Sequence, residues 1–251
     1  DRGVEHHQAG TTGKLGGRRT TEDISRRWNA VAAVSGMRRA VQLARAYADV
    51  RVAFGAKLAD KPLHQDTLTW MEAEAMGAFH LAFRVVELLG QDEVGTISDA
   101  HRALMRALTP IAKLTTGKQA VAIASEALEA FGGAGYVEDT GLPALLRDAQ
   151  VLPIWEGTTN VLSLDLQRVL AKGDAPRAIE DEVVRATSEA PPSCKDAAEA
   201  ARAAVRHALS HLAERAAHGI PEAERCARRV ALTLGRAFEV ALLAEQAAFE
   251  A

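Results

Sequence analysis

Apolar residues recur at intervals of three and four along most of this sequence, and that period constrains the fold more than any other feature. The first stripe consists of Ala30, Val34, Met37, Val41, Ala44 and Ala48. A second stripe consists of Leu68, Met71, Ala75, Phe79, Phe83 and Val86, and a third of Ala120, Ile123, Ala127 and Ala130. This spacing places each set on one face of an α-helix. Short β-branched runs and abundant alanine also favour helix over sheet.

Helix breakers divide the periodic segments into separate elements. Gly55 fits a helix C-terminus, Pro62 fits the first turn of the next helix, and Ser98 fits an N-cap. The sequence therefore predicts an all-α fold, a four-helix up-down bundle. Its antiparallel helices are expected near 25–50, 63–90, 99–131 and 158–172.

A boundary is expected after the fourth helix, at Gly173 to Pro176. Three more helices are predicted beyond it, near 177–187, 196–217 and 222–248. The sequence thus divides into a polar, glycine-rich arm at 1–22, expected to be disordered or a linker, a bundle domain at 23–172 and a C-terminal helical extension at 173–251.

Composition argues against several classes of protein. A net charge of −3 over 251 residues gives no bulk attraction to nucleic acid or to an anionic membrane. No apolar run reaches the roughly 18–20 residues needed to span a bilayer. Cys194 and Cys226 show no metal-ligand spacing, which suits a reduced, cytoplasmic setting. The adjacent His6 and His7 have no partner ligands at matching spacing, so no metal site is predicted.

Glu156 is the main candidate for chemistry, because it stands between Trp155 and Gly157 directly before a predicted helix. One interpretation is structural, since the helix dipole favours an acid near a helix N-terminus by roughly 0.3–1 kcal/mol. The other is chemical. A carboxylate beside an apolar wall loses solvation, which raises the pKa of such a group and makes it a usable general base. The residue alone leaves both interpretations open.

A glycine string, Gly132-Gly133-Ala134-Gly135, follows the third predicted helix. A dinucleotide-binding fingerprint needs a preceding strand, so that interpretation is rejected. The expected role is a left-handed helix cap and a close approach of backbone.

Three segments, GGAGYVED, LPALLRDA and PIWEGTTNVLSLDLQRVL, stand in this order from residue 132 to residue 170. Together they closely resemble the C-terminal helical domain of the acyl-CoA dehydrogenases, and most closely its AidB-like branch. The resemblance runs from about Ser25 to Leu170. It implies an FAD-dependent oxidoreductase of fatty acid metabolism that acts on an acyl-CoA. It also implies an acceptor of the electron-transfer flavoprotein type and a homodimer or homotetramer.

The resemblance assigns cofactor contacts to five residues outside the Glu156 region. Arg51 and Phe54, in the RVAFG segment, match residues that reach the flavin of the neighbouring subunit. Gly132 and Gly133 match a turn that approaches the adenosine end of that flavin. Glu129 stands three residues before this turn, where most members carry Gln and the AidB-like branch carries an acid. Many members also have a Gln where this chain has Pro62.

The resemblance also assigns roles around the candidate base. Glu156 matches the residue that removes the α-proton of the thioester, and Arg26 and Gly157 match substrate contacts. The physical alternative for Arg26 is a solvated arginine at a helix end. Thr158 matches a flavin contact and is also expected to cap the following helix, two compatible roles.

The segment before Glu156 contains an Arg-Asp pair, Arg147 and Asp148. These two residues are expected to form a structural ion pair that braces the loop.

Members of the family also carry an N-terminal helical domain and a middle β-domain, and neither is recognised here. The expectation is a fragment, a truncated product or a chain that needs a partner, with weak or absent FAD binding on its own. The alternative is a non-catalytic helical oligomerisation or interaction module, DNA-associated as in the AidB-like branch. From residue 174 onward there are 10 Arg and Lys against 13 Asp and Glu, which does not favour DNA.

Overall fold

A computed structural model describes residues 14–251, with side chains described from residue 22. The adjacent His6 and His7 lie outside the described residues. In chain order the elements are α1 Lys14–Val50, β1 Val52–Ala53, β2 Ala56–Lys57, α2 Pro62–Glu93, α3 Asp99–Ala130, α4 Gly133–Tyr136, α5 Pro143–Val151, α6 Thr159–Leu170, α7 Ala175–Ala186, α8 Lys195–Ala217 and α9 Ile220–Phe249. The prediction of an all-α fold is confirmed.

Helices α1 and α3 run parallel through the middle of the molecule. Near their starts Arg27 Nε donates to Thr109 Oγ1 at 3.4 Å. Near their ends the rings of Tyr47 and Phe131 pack with centroids 4.6 Å apart. Helix α2 runs back alongside both, as an up-down bundle requires. Because α1 and α3 run parallel, residues near the starts of both helices lie at one end of the bundle and residues near their ends lie at the other.

Several predicted boundaries move in the structure. Helix α1 begins at Lys14 instead of near 25, and α2 continues through Gly90 to Glu93. Gly55 does not end a helix, because α1 already stops at Val50. Instead Phe54, with φ 52°, and Gly55, with φ 81°, form the turn of a two-stranded hairpin between β1 and β2. A two-residue hairpin turn needs positive φ at its centre, which explains the glycine.

Burial confirms the first apolar stripe in full and the second in part. All six members of the α1 stripe are buried. On α2, Leu68, Met71 and Ala75 are buried, but Phe79 and Phe83 are 37% and 42% exposed. These two rings stack on each other with centroids 4.4 Å apart. The prediction that they belong to the core was wrong, because contacts with α9 and α3 place smaller residues of α2 inside.

The C-terminal helices pack on the bundle, with α9 lying against α2, α3 and α6. A Cβ added to Gly77 of α2 would lie 3.2 Å from Glu239 Cβ of α9, so the glycine permits this close approach. Helix α7 is tied to α2 by a buried ion pair, with Arg84 Nε 2.7 Å from Glu182 Oε1. Across the part of the chain that the structure describes, no helix is long and apolar enough to cross a membrane.

Candidate active site

The loop between α5 and α6 lies against α1 and α3, and its first half is fixed by packing and one hydrogen bond. Asn29 Nδ2 of α1 donates to the carbonyl oxygen of Leu152 at 3.1 Å, in a buried position. On α3, a Cβ added to Gly117 would lie 3.3 Å from the backbone nitrogen of Pro153. The absence of a side chain at Gly117 therefore lets the loop rest directly on α3.

The second half of the loop carries Glu156 in an unusual backbone conformation. Glu156 has φ 57° and Gly157 has φ 104°, two successive residues with positive φ. This conformation costs a non-glycine residue about 1–2 kcal/mol. Gly157 is also limited by space, because an added Cβ would lie 3.2 Å from Leu162 Cδ2. Such strain persists only where the surroundings hold it in place.

Two buried cations hold the carbonyl groups of this strained turn. Arg26 Nε of α1 donates to the carbonyl oxygen of Glu156 at 3.2 Å. Lys113 Nζ of α3 donates to the carbonyl oxygen of Gly157 at 2.6 Å. Each cation therefore fixes one peptide group next to the candidate base.

Arg26 is not the solvated helix-end arginine that the sequence left open, because only 8% of the residue is exposed. Its Nη1 lies 2.8 Å from Asp165 Oδ2 of α6 and 3.4 Å from Asp23 Oδ1. Arg106 of α3 adds a further contact to Asp23 at 3.2 Å. The charge of Arg26 is thus compensated, and its guanidinium joins the loop and α1 to α6.

Lys113 is fully buried in the middle of α3. Burial removes water from its ammonium and, together with the nearby charge of Arg26, lowers its pKa to about 8, while Glu156 opposes the change. Among residues 22–251 no carboxylate lies within ion-pairing distance of Lys113. Lys113 was not among the residues predicted from the sequence. The signal was present, because the α3 stripe extended backwards from Ala120 reaches Lys113 after two turns.

Glu156 is half-buried, and apolar residues close to it in the chain are exposed. Ile154, Trp155 and Val161 are 55%, 52% and 51% exposed. No side chain within residues 22–251 donates a hydrogen bond to the carboxylate, so it is available to a ligand. Thr158 occupies the N-cap position of α6, but its side chain makes no capping hydrogen bond. The predicted capping bond was wrong, and the exposed hydroxyl is left for another contact.

Arg51 and Phe54 lie at the opposite end of the bundle. Arg51 is exposed at the end of α1, and Phe54 is 97% exposed in the hairpin turn. Arg51 follows Arg26 by 25 positions along α1, which at about 1.5 Å per residue separates them by roughly 37 Å. One chain therefore does not bring Arg51 to Glu156.

The glycine turn lies at that same end, after α3. The predicted left-handed cap was wrong, because Gly132 has φ 60° but ψ −138°, outside the left-handed helical region. Glu129, Gly132 and Arg147 help to line a cleft with a volume of about 410 Å³. A Cβ added to Gly135 would lie 2.0 Å from the carbonyl oxygen of Leu128, which confirms the predicted close approach of backbone.

The predicted ion pair between Arg147 and Asp148 was wrong. Arg147 Nη1 and Nη2 instead contact the carboxylate of Glu138 at 2.7 and 3.1 Å. Neighbouring residues on a helix point in different directions, so an adjacent Arg and Asp do not face each other. Arg147 thus closes the glycine-turn segment onto α5.

The predicted site residues therefore form two separate groups. The group around the α5–α6 loop contains Arg26, Glu156, Gly157 and Thr158. The group at the hairpin end contains Arg51, Phe54, Glu129, Gly132 and Gly133. Within residues 22–251 no cluster of three or more His, Cys, Asp or Glu side chains suits a metal ion.

Comparison with known proteins identifies the family to which this arrangement belongs. Residues 20–171 match the family model described as "Acyl-CoA dehydrogenase, C-terminal domain". The chain belongs to the acyl-CoA dehydrogenase family. The match covers both groups of residues and the helices that carry them.

Acyl-CoA dehydrogenases of several organisms resemble the chain in sequence. It is 43% identical over 232 residues to acyl-CoA dehydrogenase family member 11 of Caenorhabditis elegans, an alignment that covers 90% of this chain and 38% of that protein. It is 39% identical over 137 residues to the putative acyl-CoA dehydrogenase AidB of Escherichia coli, covering 54% of this chain and 24% of that protein.

A solved acyl-CoA dehydrogenase shows the same fold. The crystal structure of C. elegans ACDH-11 in complex with C11-CoA superposes with a TM-score of 0.90 at 41% identity. It covers 95% of this chain, whereas this chain covers 42% of that one. The chain therefore spans about two fifths of the length of these C. elegans counterparts.

Proposed function

We propose that this chain supplies the catalytic base of an FAD-dependent acyl-CoA dehydrogenase, with Glu156 as that base. The observation that carries the proposal is the turn at Glu156. A carboxylate without a hydrogen-bond donor from residues 22–251 stands in a strained turn whose carbonyl groups are held by two buried cations. Strain maintained in this way is a feature of functional sites.

The proposed reaction is the α,β-dehydrogenation of an acyl-CoA thioester. A Glu156 carboxylate oxygen takes the proton from the α-carbon, and the electron pair of that C–H bond forms the new double bond. FAD, when bound, accepts the hydride that leaves the β-carbon. Positioned carboxylates are effective general bases when the reacting proton lies within hydrogen-bond reach. The rigid backbone at Glu156 restricts where its carboxylate can lie.

The exposed apolar surface beside Glu156 supports a substrate with a hydrocarbon chain. Ile154, Trp155 and Val161 leave apolar area next to the carboxylate, which an acyl chain can cover. Gly157 commits its carbonyl oxygen to Lys113, so a substrate contact at this residue falls to its amide N–H. Arg26 is buried against Asp165 and Glu156, and we assign it to positioning the turn instead of contacting the CoA. An acyl-CoA is also the ligand named for the ACDH-11 crystal structure.

The hairpin end fits a role in holding the anionic cofactor. Arg51 presents an exposed guanidinium, which suits a diphosphate because it is always charged and donates in pairs. Phe54 presents an almost fully exposed ring. Gly132 and Gly133 have open space around their Cα atoms, so main chain is accessible there. Glu129 lines the adjacent cleft, and Thr158 offers an exposed hydroxyl at the other end.

The distance between the two groups supports a site shared by two copies of the chain. One chain separates Arg51 from Arg26 by roughly 37 Å along α1. An assembly in which the hairpin end of one copy approaches the Glu156 end of another joins the two groups. A homodimer or homotetramer therefore belongs to the proposal, as does an electron-transfer flavoprotein-type acceptor that reoxidises the cofactor.

A flavin titration followed by light scattering tests this proposal. We expect the chain alone to retain FAD weakly, since it spans about two fifths of its C. elegans relatives, and any retained flavin to be on a dimer or larger species. In a preparation that reduces flavin with an acyl-CoA, Glu156→Gln removes the reduction and the exposed control Glu189→Gln leaves it intact. Reduction that persists in Glu156→Gln would sink the assignment of the base.

The alternative of a DNA-associated module gains no support from the C-terminal helices. From residue 174 onward 13 acidic residues outnumber 10 basic ones, so no bulk electrostatic attraction to phosphate is expected. Salt-dependent retardation of duplex DNA by the purified chain would revive this alternative.

A further inference from the structure

We propose that Lys113 is a positioning residue for Glu156. In this proposal, the hydrogen bond from its ammonium to the carbonyl oxygen of Gly157 fixes the left-handed turn and so aims the carboxylate. The inference rests on the proposed function only in treating Glu156 as a base. The hydrogen bond from Lys113 to Gly157 forms within this chain and does not depend on the proposed function.

The contact is short, buried and long-range in sequence. Lys113 Nζ lies 2.6 Å from the carbonyl oxygen of Gly157, 44 residues away, and the side chain is 0% exposed. Lys113 lies in the middle of α3, a helix buried on several sides. A donor on such a helix has little freedom to move, so it fixes the peptide group that it contacts.

The turn needs such a hold because its conformation is unfavourable for Glu156. Of the two successive residues with positive φ, only Gly157 is suited to that region. Local propensity would let the Glu156 peptide relax by rotating. Rotation of either peptide group breaks a hydrogen bond, to Arg26 at Glu156 or to Lys113 at Gly157. The two donors therefore hold adjacent peptide groups against that relaxation.

Lys113 differs from Arg26 because no ion pair with the described residues compensates its buried charge. Arg26 is balanced by Asp23 and Asp165. Among residues 22–251 no carboxylate pairs with Lys113, and the charged groups that act on it are Arg26 and Glu156. An ammonium buried without a paired carboxylate disfavours folding, and an apolar side chain of similar length would fill the same space. A residue that disfavours folding and touches the turn of a candidate base has the character of a functional residue.

Amide hydrogen exchange of the full chain, measured without cofactor, tests whether Lys113 restrains the turn at Glu156 and Gly157. Lys113→Met removes the donor and keeps most of the side-chain volume, and Lys118→Met is the matched control on the exposed side of α3. We expect amide exchange in peptides covering 152–163 to accelerate about tenfold or more in Lys113→Met, as loss of a charged hydrogen bond implies. Exchange over 104–127 and throughout Lys118→Met should stay at the wild-type rate.

A second variant keeps the test decisive if Lys113→Met does not fold. Lys113→Gln retains a polar side chain that is too short to reach Gly157, and the same acceleration is expected. Unchanged exchange over 152–163 in the folded variants would overturn the inference. Uniform acceleration throughout α3 would also overturn it, because it would show a general packing role.

Kinetics separates this inference from the proposed function. In a preparation that reduces flavin with an acyl-CoA, Lys113→Met should lower kcat for flavin reduction about 100-fold with KM within about twofold, since a misplaced base affects chemistry more than binding. Equal losses of kcat in Lys113→Met and in the control Lys118→Met would contradict a positioning role for Lys113. If exchange rises as expected but Glu156→Gln still reduces flavin, the proposed function fails and the hold by Lys113 stands.

Discussion

The two ends of the bundle carry the two groups of site residues, and they are built differently. At the α5–α6 loop, backbone carbonyl groups are held by buried donors from α1 and α3, Arg26 and Lys113 among them. At the hairpin end, Phe54 is 97% exposed and Arg51 is open to solvent. At the loop, contacts within the chain fix the backbone. At the hairpin end, the side chains of Arg51 and Phe54 are exposed and can contact another molecule.

This difference indicates which part of the chemistry each end serves. A base must be placed to within a fraction of an ångström, so its turn is worth fixing with buried charges. A cofactor contact across an interface gains its partners only on assembly, so its side chains stay exposed until then. Substitutions of the donors that hold the loop should therefore affect folding and chemistry together, and substitutions of the exposed hairpin residues should affect cofactor retention with little effect on folding.

The largest effect is expected from Glu156→Gln. Removing a general base should lower the rate of flavin reduction by an acyl-CoA about 1,000-fold, within the range typical of acid–base catalysis. Stopped-flow absorbance of the flavin measures this rate. The free energy of unfolding should change little, because the carboxylate accepts no hydrogen bond from residues 22–251. A loss of stability as large as the loss of rate would make Glu156 a structural residue.

The next largest effect is expected in the pH dependence of stability at Lys113. Its pKa is lowered from 10.5 to about 8, which at about 1.4 kcal/mol per tenfold change corresponds to about 3 kcal/mol. Below pH 8 the folded chain holds the proton at a cost. Between pH 8 and 10.5 the unfolded chain binds more protons than the folded one, so stability rises with pH.

Urea unfolding of wild type and Lys113→Met isolates this contribution, since Arg26 and Glu156 are present in both. The stability of wild type relative to the variant should rise by about 2–3 kcal/mol between pH 7 and pH 10. Lys118→Met should show no such rise. A difference that stays constant with pH would contradict the account of a desolvated ammonium at Lys113.

The glycine turn offers a smaller effect with a close control. Gly135→Ala places a Cβ 2.0 Å from the carbonyl oxygen of Leu128, so the backbone must shift, and we expect a loss of about 2–3 kcal/mol in unfolding free energy. Gly133→Ala meets nothing within 4 Å and should stay within about 0.5 kcal/mol of wild type. Equal effects of the two substitutions, measured by urea unfolding, would show that this turn is looser than the structure indicates.

The smallest effect separates stability from function at the hairpin. Phe54 has φ 52°, which asparagine tolerates better than phenylalanine, so Phe54→Asn should raise the unfolding free energy by about 0.5–1 kcal/mol. The same substitution should weaken flavin retention, because it removes the exposed ring. Val52→Thr, on a neighbouring strand position, serves as the control for retention. A Phe54→Asn variant that retains flavin as well as wild type would remove Phe54 from the cofactor site.

Local pattern was sufficient to predict the helices, since the α1 stripe from Ala30 to Ala48 is buried as expected. Glu156 was a candidate from the sequence, and the structure places it in a turn with positive φ, although its role as a base stays a prediction. Local pattern failed where tertiary packing decides, as with Phe83, which a hydrophobic stripe includes but α9 and α3 leave exposed. Lys113 was missed because its contact lies 44 residues away at Gly157, and a helical lysine alone does not reveal its partner.

The most direct test of the contrast between the two ends is residue-level hydrogen exchange of the wild-type chain without cofactor. We expect slow exchange at Trp155 and Leu162, whose amides donate hydrogen bonds to the carbonyl oxygens of Val151 and Thr158. We expect fast exchange across 137–139, the exposed residues that follow the glycine turn. Exchange at Trp155 and Leu162 as fast as across 137–139 would show that the Glu156 turn is not organised by this chain, and would contradict the account.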